Sequence, residues 1–452
     1  MFVETRSSAW RHGGAAAVLL ALAIGAAARL GTDRLVLPRP LPEARQTIYR
    51  DGVPHTDAQG RPLGAYDPQR SFLPIALYHA LDGRHFGRDF ALETIRKAGF
   101  NAVHFWEGEA MVPAMAAAAR ASLQVVYHYP SPEQAAAYRD DPHVLAWYLH
   151  EEPSLLVPPG GQEDALRDFT AQRAALKAVD PGHPVFALDA PPAPAGQAVW
   201  RRWADAGDIS AHWNYPVGPA PMTSLEGRRS IPASVQAAIA ATGGRKPVWL
   251  TVQAFASPHL NWRMPSPDQL WAMVFAGIVH GATGIVFFAY DSFVTRDGDV
   301  LGIAPDPAAD YGPTLESPRR GARPPLAVDA AALAASRRLW QETVRINAAL
   351  SDLAPVILAP TADARYTLWL ESPNLARAPV RAILKRTADG LVLIAVNLTD
   401  ESVRIRFAFA DAMPAPTRLL DSALPPVADG RGWTDAFPPF GVHVYRLNGA
   451  AS

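Results

Sequence analysis

The 452-residue chain contains no cysteine. This absence excludes disulfide bonds, iron–sulfur clusters, cysteine-ligated zinc and a thiol nucleophile. An excess of charge of one sign is also missing, because 42 basic residues stand against 43 acidic ones. A balanced chain offers no basic surface to a polyanion, so we do not expect nucleic acid as a partner. Neither a glycine-rich dinucleotide loop nor a Walker phosphate loop occurs, and nothing in the sequence requires a cofactor.

Residues 1–28 predict an export signal. Arg6 and Arg11 precede an uncharged stretch that ends in three alanines at 26–28, a small-residue site of the kind at which signal peptides are cleaved. The apolar run is shorter than the roughly 20 residues that a membrane-spanning helix needs. We therefore expect an exported protein, periplasmic or secreted, which an uncleaved segment would attach to the inner membrane. Residues 29–70, rich in Pro, Gly and Arg, predict a linker and lead-in.

Eight short apolar, β-branched or aromatic runs follow. They are Phe72–Leu81, Phe100–Glu107, Leu123–Pro130, Val144–Pro153, His183–Ala190, Asp208–Pro216, Pro247–Phe255 and Thr283–Asp291. Helix-like stretches separate most of them, and their continuous hydrophobicity is typical of parallel strands that are buried on both faces. Eight such strands within about 280 residues predict a closed (β/α)8 barrel over residues 71–353, in preference to an open doubly wound sheet.

The pattern changes after the last barrel helix. Short strand-like runs, separated by turn signals such as Ala388-Asp389-Gly390, predict an antiparallel β-sandwich over residues 354–452. The runs are Arg365–Leu370, Val380–Thr387, Gly390–Asn397, Val403–Ala408 and Val442–Leu447. The predicted fold class is therefore α/β, a (β/α)8 TIM barrel followed by a C-terminal antiparallel β-sandwich.

Polar and aromatic side chains collect at the carboxyl ends of the predicted strands, where barrel enzymes carry their chemistry. They are His79, Trp106, Glu107, His128, Tyr129, His150, Glu151, Glu152, Asp189, His212, Trp213, Asn214, Tyr215, Gln253 and Asp291. The set contains neither Lys nor Arg, which disfavours an anionic phosphate ligand. Aromatic rings stack on sugar faces while carboxylates and amides bind hydroxyls, so the set favours a carbohydrate substrate.

The strongest local motif is Trp147-Tyr148-Leu149-His150-Glu151-Glu152-Pro153 at the end of strand four. Two neighbouring carboxyls disfavour each other's ionisation, so that one of them keeps its proton near neutral pH. Protonation of a glycosidic oxygen requires such an acid. We therefore interpret Glu151 and Glu152 as catalytic residues. A solvated loop or a helix cap is the alternative explanation of the motif.

These residues resemble a signature of the large clan of (β/α)8 glycoside hydrolases whose acid/base Glu follows strand four in an Asn-Glu-Pro-type sequence. Glu152 before Pro153 matches that Glu, and Glu151 stands where the signature has Asn. His212 and Tyr215 resemble the His and Tyr positions that line such sites, and the trailing sandwich resembles a common accessory domain. The resemblance implies cleavage of the glycosidic bonds of a poly- or oligosaccharide by carboxylate acid/base catalysis.

The sequence departs from this clan at strand seven, where the clan has a nucleophilic Glu and this chain has Gln253. A neutral amide cannot form a glycosyl ester, and three explanations stay open. The second carboxylate comes from elsewhere, with Asp291 as the first candidate and Glu107 and Asp189 as further ones. Alternatively, the two glutamates of strand four act together through a water, which needs carboxyls roughly 6.5–9.5 Å apart. In the third case the barrel is a periplasmic glycan-binding protein that cleaves nothing.

A metal-dependent hydrolase is the rival enzyme class, because His79, His128, His150 and His212 fall at strand ends. Zinc sites need three or four converging ligands, commonly with a close His pair, and neither H-x-H nor H-E-x-x-H occurs. Each isolated His is therefore predicted to be a hydrogen-bonded wall residue, and we expect no metal site.

Overall fold

The structure is a computed structural model. It describes residues 38–41, 48–63, 65–85, 88–105, 110–193, 196–227, 229–258, 260–294, 299–305, 330–363, 365–372, 375, 378–413, 415–420 and 426–447. The predicted export signal, Trp106, Glu107 and most of the loop predicted after strand eight lie outside these residues. Within the described ranges, no helix has the length and apolar character that crossing a membrane requires.

Eight parallel strands close into a barrel, which confirms the predicted architecture. They are β1 (Ile75–Ala80), β2 (Ala102–Phe105), β3 (Gln124–His128), β4 (Val144–Glu151), β5 (Val185–Asp189), β6 (Ser210–Asn214), β7 (Val248–Gln253) and β8 (Gly284–Phe288). β8 pairs with β1, so the sheet has no open edge. Most strand residues are buried, because one face packs on the helices and the other fills the barrel interior.

In the described part of the chain a helix follows each barrel strand. The eight are α1 (Leu92–Lys97), α2 (Met111–Ala121), α3 (Pro132–Tyr138), α4 (Gln162–Val179), α5 (Gln197–Ala206), α6 (Ile231–Thr242), α7 (Pro267–Val279) and α8 (Ala330–Ile357). A short helix at Pro153–Leu156 and a 3-10 turn at Pro159–Gly161 precede α4. The hydrophobic pattern does not predict α3 or α5. Ser131 and Gln134 nevertheless form a capping box at the start of α3, which is a readable signal in the sequence.

The C-terminal part is an antiparallel β-sandwich, as predicted. Its strands are β9 (Tyr366–Leu370), β10 (Val380–Thr387), β11 (Gly390–Asn397), β12 (Val403–Phe409), β13 (Thr417–Arg418), β14 (Val427–Ala428), β15 (Gly432–Phe437) and β16 (Val442–Leu447). One sheet has the order Arg39–Pro40, β9, β12, β15, β14, and the other the order β10, β11, β16, β13. Arg39–Pro40, in the predicted linker, thus pairs with the sandwich. Ile383 and Ile394 share the apolar core of the barrel helices, which joins the two units.

Candidate active site

A β-bulge in β4 turns Glu151 into the barrel. Tyr148 pairs with Phe186 of β5, but the next pairs are His150 with Ala187 and Glu151 with Leu188, so β4 carries one extra residue. The extra residue shifts the alternation of side chains by one position. Glu151 therefore lies on the inner side, as Leu188 does.

Tyr78 of β1 contacts this carboxyl across the barrel. Its hydroxyl lies 3.4 Å from Glu151 Oε1 and 3.4 Å from the hydroxyl of Tyr148. Burial raises the pKa of the Tyr78 phenol well above its usual value, and the charge of Glu151 adds to the rise. Tyr78 is therefore a neutral hydroxyl at ordinary pH, and it can donate a hydrogen bond to the Glu151 carboxyl.

Glu152 follows at the point where the strand ends. Its backbone is left-handed, with φ 47° and ψ 42°, and its side chain is partly exposed. Burial raises the pKa of the Glu152 carboxyl, and the indole N–H of Trp213 partly offsets this rise. The charges of Glu152 and Glu151 both raise the pKa of the buried Tyr215 phenol, after burial itself. The two neighbouring carboxyls thus share one mouth of the barrel.

Asp189 ends β5 beside these carboxyls and exposes only 2% of its surface. Its Oδ1 accepts hydrogen bonds from Ser154 N (3.2 Å), Ser154 Oγ (2.8 Å) and Ala190 N (2.8 Å). Burial raises the pKa of Asp189 to about 6, and the charge of Glu152 contributes to the rise despite these three donors. Asp189 is therefore electrostatically coupled to Glu152.

Aromatic rings form one wall of the mouth. Trp213 stacks on Tyr215 with ring centroids 4.5 Å apart, and Trp262 lies edge-on to Tyr215 at 5.5 Å. The Cζ atom of Arg229 lies 5.2 Å from the Trp262 ring centroid and 5.9 Å from that of Trp213. Tyr129, 49% exposed, forms part of the rim on the β3 side. Trp213 and Tyr215 are only 7% and 6% exposed, so Trp262 and Tyr129 present the accessible ring surface of the kind on which sugars stack.

Histidines and tyrosines pack together below the mouth. His128 stacks on Tyr148 and on Tyr129, with centroid distances of 4.1 and 3.7 Å, and His104 stacks on Tyr78 at 4.0 Å. Burial lowers the pKa of His79 to about 3 and that of His128 to about 3. These imidazoles are therefore neutral at physiological pH. Among the described residues, no group of three His, Asp or Glu side chains is arranged to hold a metal ion.

Three predicted substrate-binding residues lie on the outer side of the barrel wall. His150 contacts the rings of Phe169 and Trp203, His212 contacts Trp200 of α5, and the Asn214 amide donates to Ser234 Oγ of α6. Strand alternation explains this placement for β6, because Trp213 and Tyr215 occupy the inner positions. The geometry therefore does not support substrate contact by His150, His212 or Asn214.

Gln253 at the end of β7 is buried and bound to main chain. Its Oε1 accepts from Val217 N at 2.9 Å, and its Nε2 donates to Val217 O at 3.1 Å and to Arg263 O at 2.9 Å. The amide thus ties the loop after β6 to the loop after β7, and none of its surface is exposed. This geometry gives Gln253 a structural role and does not support the predicted substrate contact.

Asp291 follows β8 and is 2% exposed, so a substrate meets less of it than of Glu151 or Glu152, which are both partly exposed.

The sequence did not predict His104 and Ser154 as residues of the site. His104 lies inside β2 rather than at its end. The signal that could have found it is that it is the one polar residue of the strand Ala-Val-His-Phe. Ser154, directly after Glu152-Pro153, is a residue type that commonly bonds at helix starts.

No protein-family model matches the chain, and no curated protein sequence matches it. Solved structures do match in fold. One, described as a glycoside hydrolase, has a TM-score of 0.52 at 12% identity, over 90% of this chain and 99% of the other. An α-amylase from Anoxybacillus has a TM-score of 0.51 at 9% identity, over 86% of this chain and 100% of the other. At such identities the likeness establishes a shared fold.

Proposed function

We propose that the protein is a glycoside hydrolase that cleaves a glycosidic bond of a poly- or oligosaccharide, with Glu152 as the general acid. The observation that carries this proposal is the pair of partly exposed carboxyls, Glu151 and Glu152, at the barrel mouth. Their surroundings differ, because a tyrosine hydroxyl faces one and burial dominates at the other. Glycoside hydrolysis needs two such groups, one protonated and one ionised.

Glu152 has the properties of the proton donor. Burial raises the pKa of its carboxyl, so the group holds its proton closer to neutral pH than a solvated Glu does. A partly exposed acid with a raised pKa can protonate the oxygen of the leaving group as the bond breaks.

Glu151 is the second carboxylate in this proposal. The Tyr78 hydroxyl lies 3.4 Å from Oε1, and hydrogen-bond donation to a carboxylate favours the ionised form. Asp189 and Asp291, the other described candidates, are both 2% exposed, and Asp189 already binds three donors through Oδ1. Glu151 therefore has better access to an anomeric carbon, as a nucleophile or as the base for a water.

The shared fold supports this chemistry only as a scaffold, since one barrel fold serves many reactions. The two solved structures of the same fold are described as a glycoside hydrolase and an α-amylase. The names of these two structures do not identify the sugar or the linkage on which this chain would act. The proposal depends on the carboxyl pair and on the accessible rings of Trp262 and Tyr129 at the mouth.

The test is a screen of the purified protein against neutral and acidic polysaccharides, followed by the variants E152Q and E151Q. E152Q should lower kcat on an unactivated glycoside about 1,000-fold, as expected for loss of a general acid. It should lower kcat far less on an aryl glycoside, whose leaving group needs no proton. E151Q should impair both substrates. E401Q, an exposed carboxyl of the sandwich, is the matched control.

Full activity of E152Q on both substrates would refute the assignment. Product stereochemistry followed by NMR then distinguishes the roles of Glu151. Retention of configuration requires a carboxylate nucleophile, and inversion requires a carboxylate that activates water.

Gln253 favours one alternative, a periplasmic glycan-binding barrel without hydrolytic activity. The amide stands where the resembling hydrolases have their nucleophile, and its contacts are to main chain. In that case the wild-type protein would bind an oligosaccharide with a measurable Kd in calorimetry and release no product. E152Q would then bind it equally well.

Export is a separate proposal that depends on residues 1–28, with their arginines, apolar stretch and alanine site. Cell fractionation of the full chain, with N-terminal sequencing of the product, tests it. A cytoplasmic protein that keeps all 28 residues would contradict it.

A further inference from the structure

We propose that Asp189 is a positioning residue for Glu152: it caps the turn that follows Glu152 and leaves the Glu152 carboxyl available to substrate. The inference rests on the proposed function, in which Glu152 is the general acid. It assigns to Asp189 a role other than sugar binding or direct participation as the second carboxylate.

Glu152 occupies the capping position of the short helix Pro153–Leu156. Its carbonyl oxygen accepts from the N–H groups of Leu155 at 3.0 Å and Leu156 at 2.8 Å, which defines the first turn. An Asp, Asn, Ser or Thr at this position commonly turns its own side chain onto an N–H group two or three residues later. The Glu152 side chain makes no such bond. Its carboxyl is therefore not consumed by the helix that it begins.

Asp189 supplies the missing cap from the neighbouring strand. Its Oδ1 accepts both the N–H and the hydroxyl of Ser154, the second residue of the helix, and also the N–H of Ala190. The main chain adds a bond from Glu152 N to Leu188 O at 2.7 Å. The turn that carries Glu152 is thus held to the end of β5 by bonds on both of its sides. Catalytic groups need such support to keep a productive geometry.

Asp189 also acts on Glu152 through its charge. The charge of Glu152 raises the pKa of Asp189, after the larger effect of burial, and such an interaction energy belongs to both partners. The other Asp189 oxygen, Oδ2, is buried and has no hydrogen-bond partner among the described residues. A charge on either carboxyl therefore disfavours ionisation of the other.

Other groups that face Glu152 must be counted in any pH experiment. Glu151 lies beside it on β4, and the phenols of Tyr78 on β1 and Tyr215, directly after β6, sense its charge. Both phenols stay neutral at ordinary pH, because burial raises the pKa of each well above its usual value. Arg229, in the loop after β6, lies on the Trp213 ring. None of these groups is changed by a substitution at Asp189.

The experiment compares D189N and D189A with the wild type. Asn keeps an oxygen for Ser154 but loses the charge, so D189N should keep kcat within about threefold at low pH. Its basic limb in the kcat/KM profile should move to lower pH, because Glu152 loses a like charge beside it. Ala also removes the cap, and D189A should lower kcat about 100-fold with little change in KM.

D180N is the matched control. Asp180 is as buried as Asp189, at 1% exposure, and likewise accepts main-chain and side-chain bonds, but from Gly182, His183 and Trp147. D180N should leave the basic limb where it is. An unshifted limb in D189N, together with wild-type kcat in D189A, would overturn the proposal.

A second readout does not depend on activity. Carboxyl titration by carbon NMR of the wild type and D189N, with E152Q to assign the resonance, reports the pKa of Glu152 directly. We expect a lower pKa in D189N, and an unchanged value overturns the inference. If the wild-type protein hydrolyses no glycoside, the proposed function fails, while this titration still decides whether Asp189 acts on Glu152.

Discussion

A lysine buried between barrel and sandwich should make stability depend on pH. Lys385 of β10 is 2% exposed, and its Nζ donates to Ala359 O at 2.8 Å. The Tyr49 ring centroid lies 5.9 Å from Nζ. Burial lowers the pKa of this ammonium to about 7. No described carboxylate forms an ion pair with it, so the folded protein favours the neutral amine.

The sign and size of the effect follow from proton linkage. The unfolded chain binds this proton below pH 10.5, whereas the folded chain binds it only below about 7. Stability from this group is therefore complete above pH 10.5 and is lost as the pH falls to about 7. At about 1.4 kcal/mol per pH unit, the difference between these pKa values corresponds to about 5 kcal/mol of unfolding free energy.

K385M removes the charge and keeps the length of the side chain. It should recover about 5 kcal/mol at pH 7 and lose a charged hydrogen bond worth about 1.5–3 kcal/mol, a net gain of about 2–3.5 kcal/mol. Denaturant unfolding at pH 7 and pH 9.5 measures it, with the exposed neighbour variant R386M as control. Equal or lower stability of K385M at pH 7, with the wild-type dependence on pH, would refute the reasoning.

Three further substitutions test the site and its support. W213F keeps a ring but removes the N–H that lowers the pKa of Glu152, so the basic limb of kcat/KM should move to higher pH. Q253E should not create a nucleophile, and it should cost about 3 kcal/mol in thermal unfolding because a carboxylate would face main-chain carbonyls. G60A should cost about 3 kcal/mol in denaturant unfolding, because its Cβ would lie 1.7 Å from a β4 carbonyl oxygen, whereas G160A should be neutral.

The sequence predicts the barrel because strands that are buried on both faces appear in the sequence as continuous apolar runs. Each of the eight apolar runs contains its strand, and β7 begins and ends within two residues of the predicted run. The helices α3 and α5 are harder to predict. Their apolar faces are short or interrupted, and their stability comes from packing against neighbours. β15 escapes prediction because Gly432 and Asp435 interrupt its apolar pattern.

The direction in which polar side chains point at the strand ends is harder to predict from the sequence. A strand-end position shows that a residue lies near the mouth, but not whether it faces the interior or the helices. His212 and Asn214 face the helices, while Trp213 and Tyr215 between and after them face the interior. Gln253 illustrates a second limit, because two loops far apart in the sequence occupy its amide.

The glutamate pair depends on a departure from regular strand geometry. Successive side chains of an extended strand point to opposite faces, so adjacent residues cannot both serve one site. If side chains alternated regularly after Tyr148, His150 would point into the barrel and Glu151 would point towards the rings of the surrounding helices. The extra residue in β4 reverses these two directions. Glu152 then leaves the extended conformation, with φ 47°, and remains at the mouth. The bulge is defined by pairing with β5, which explains why the motif alone leaves the two carboxyls ambiguous. β5 itself ends at Asp189, one residue beyond this pairing, so one strand sets the register of the pair and also supplies the residue that holds it.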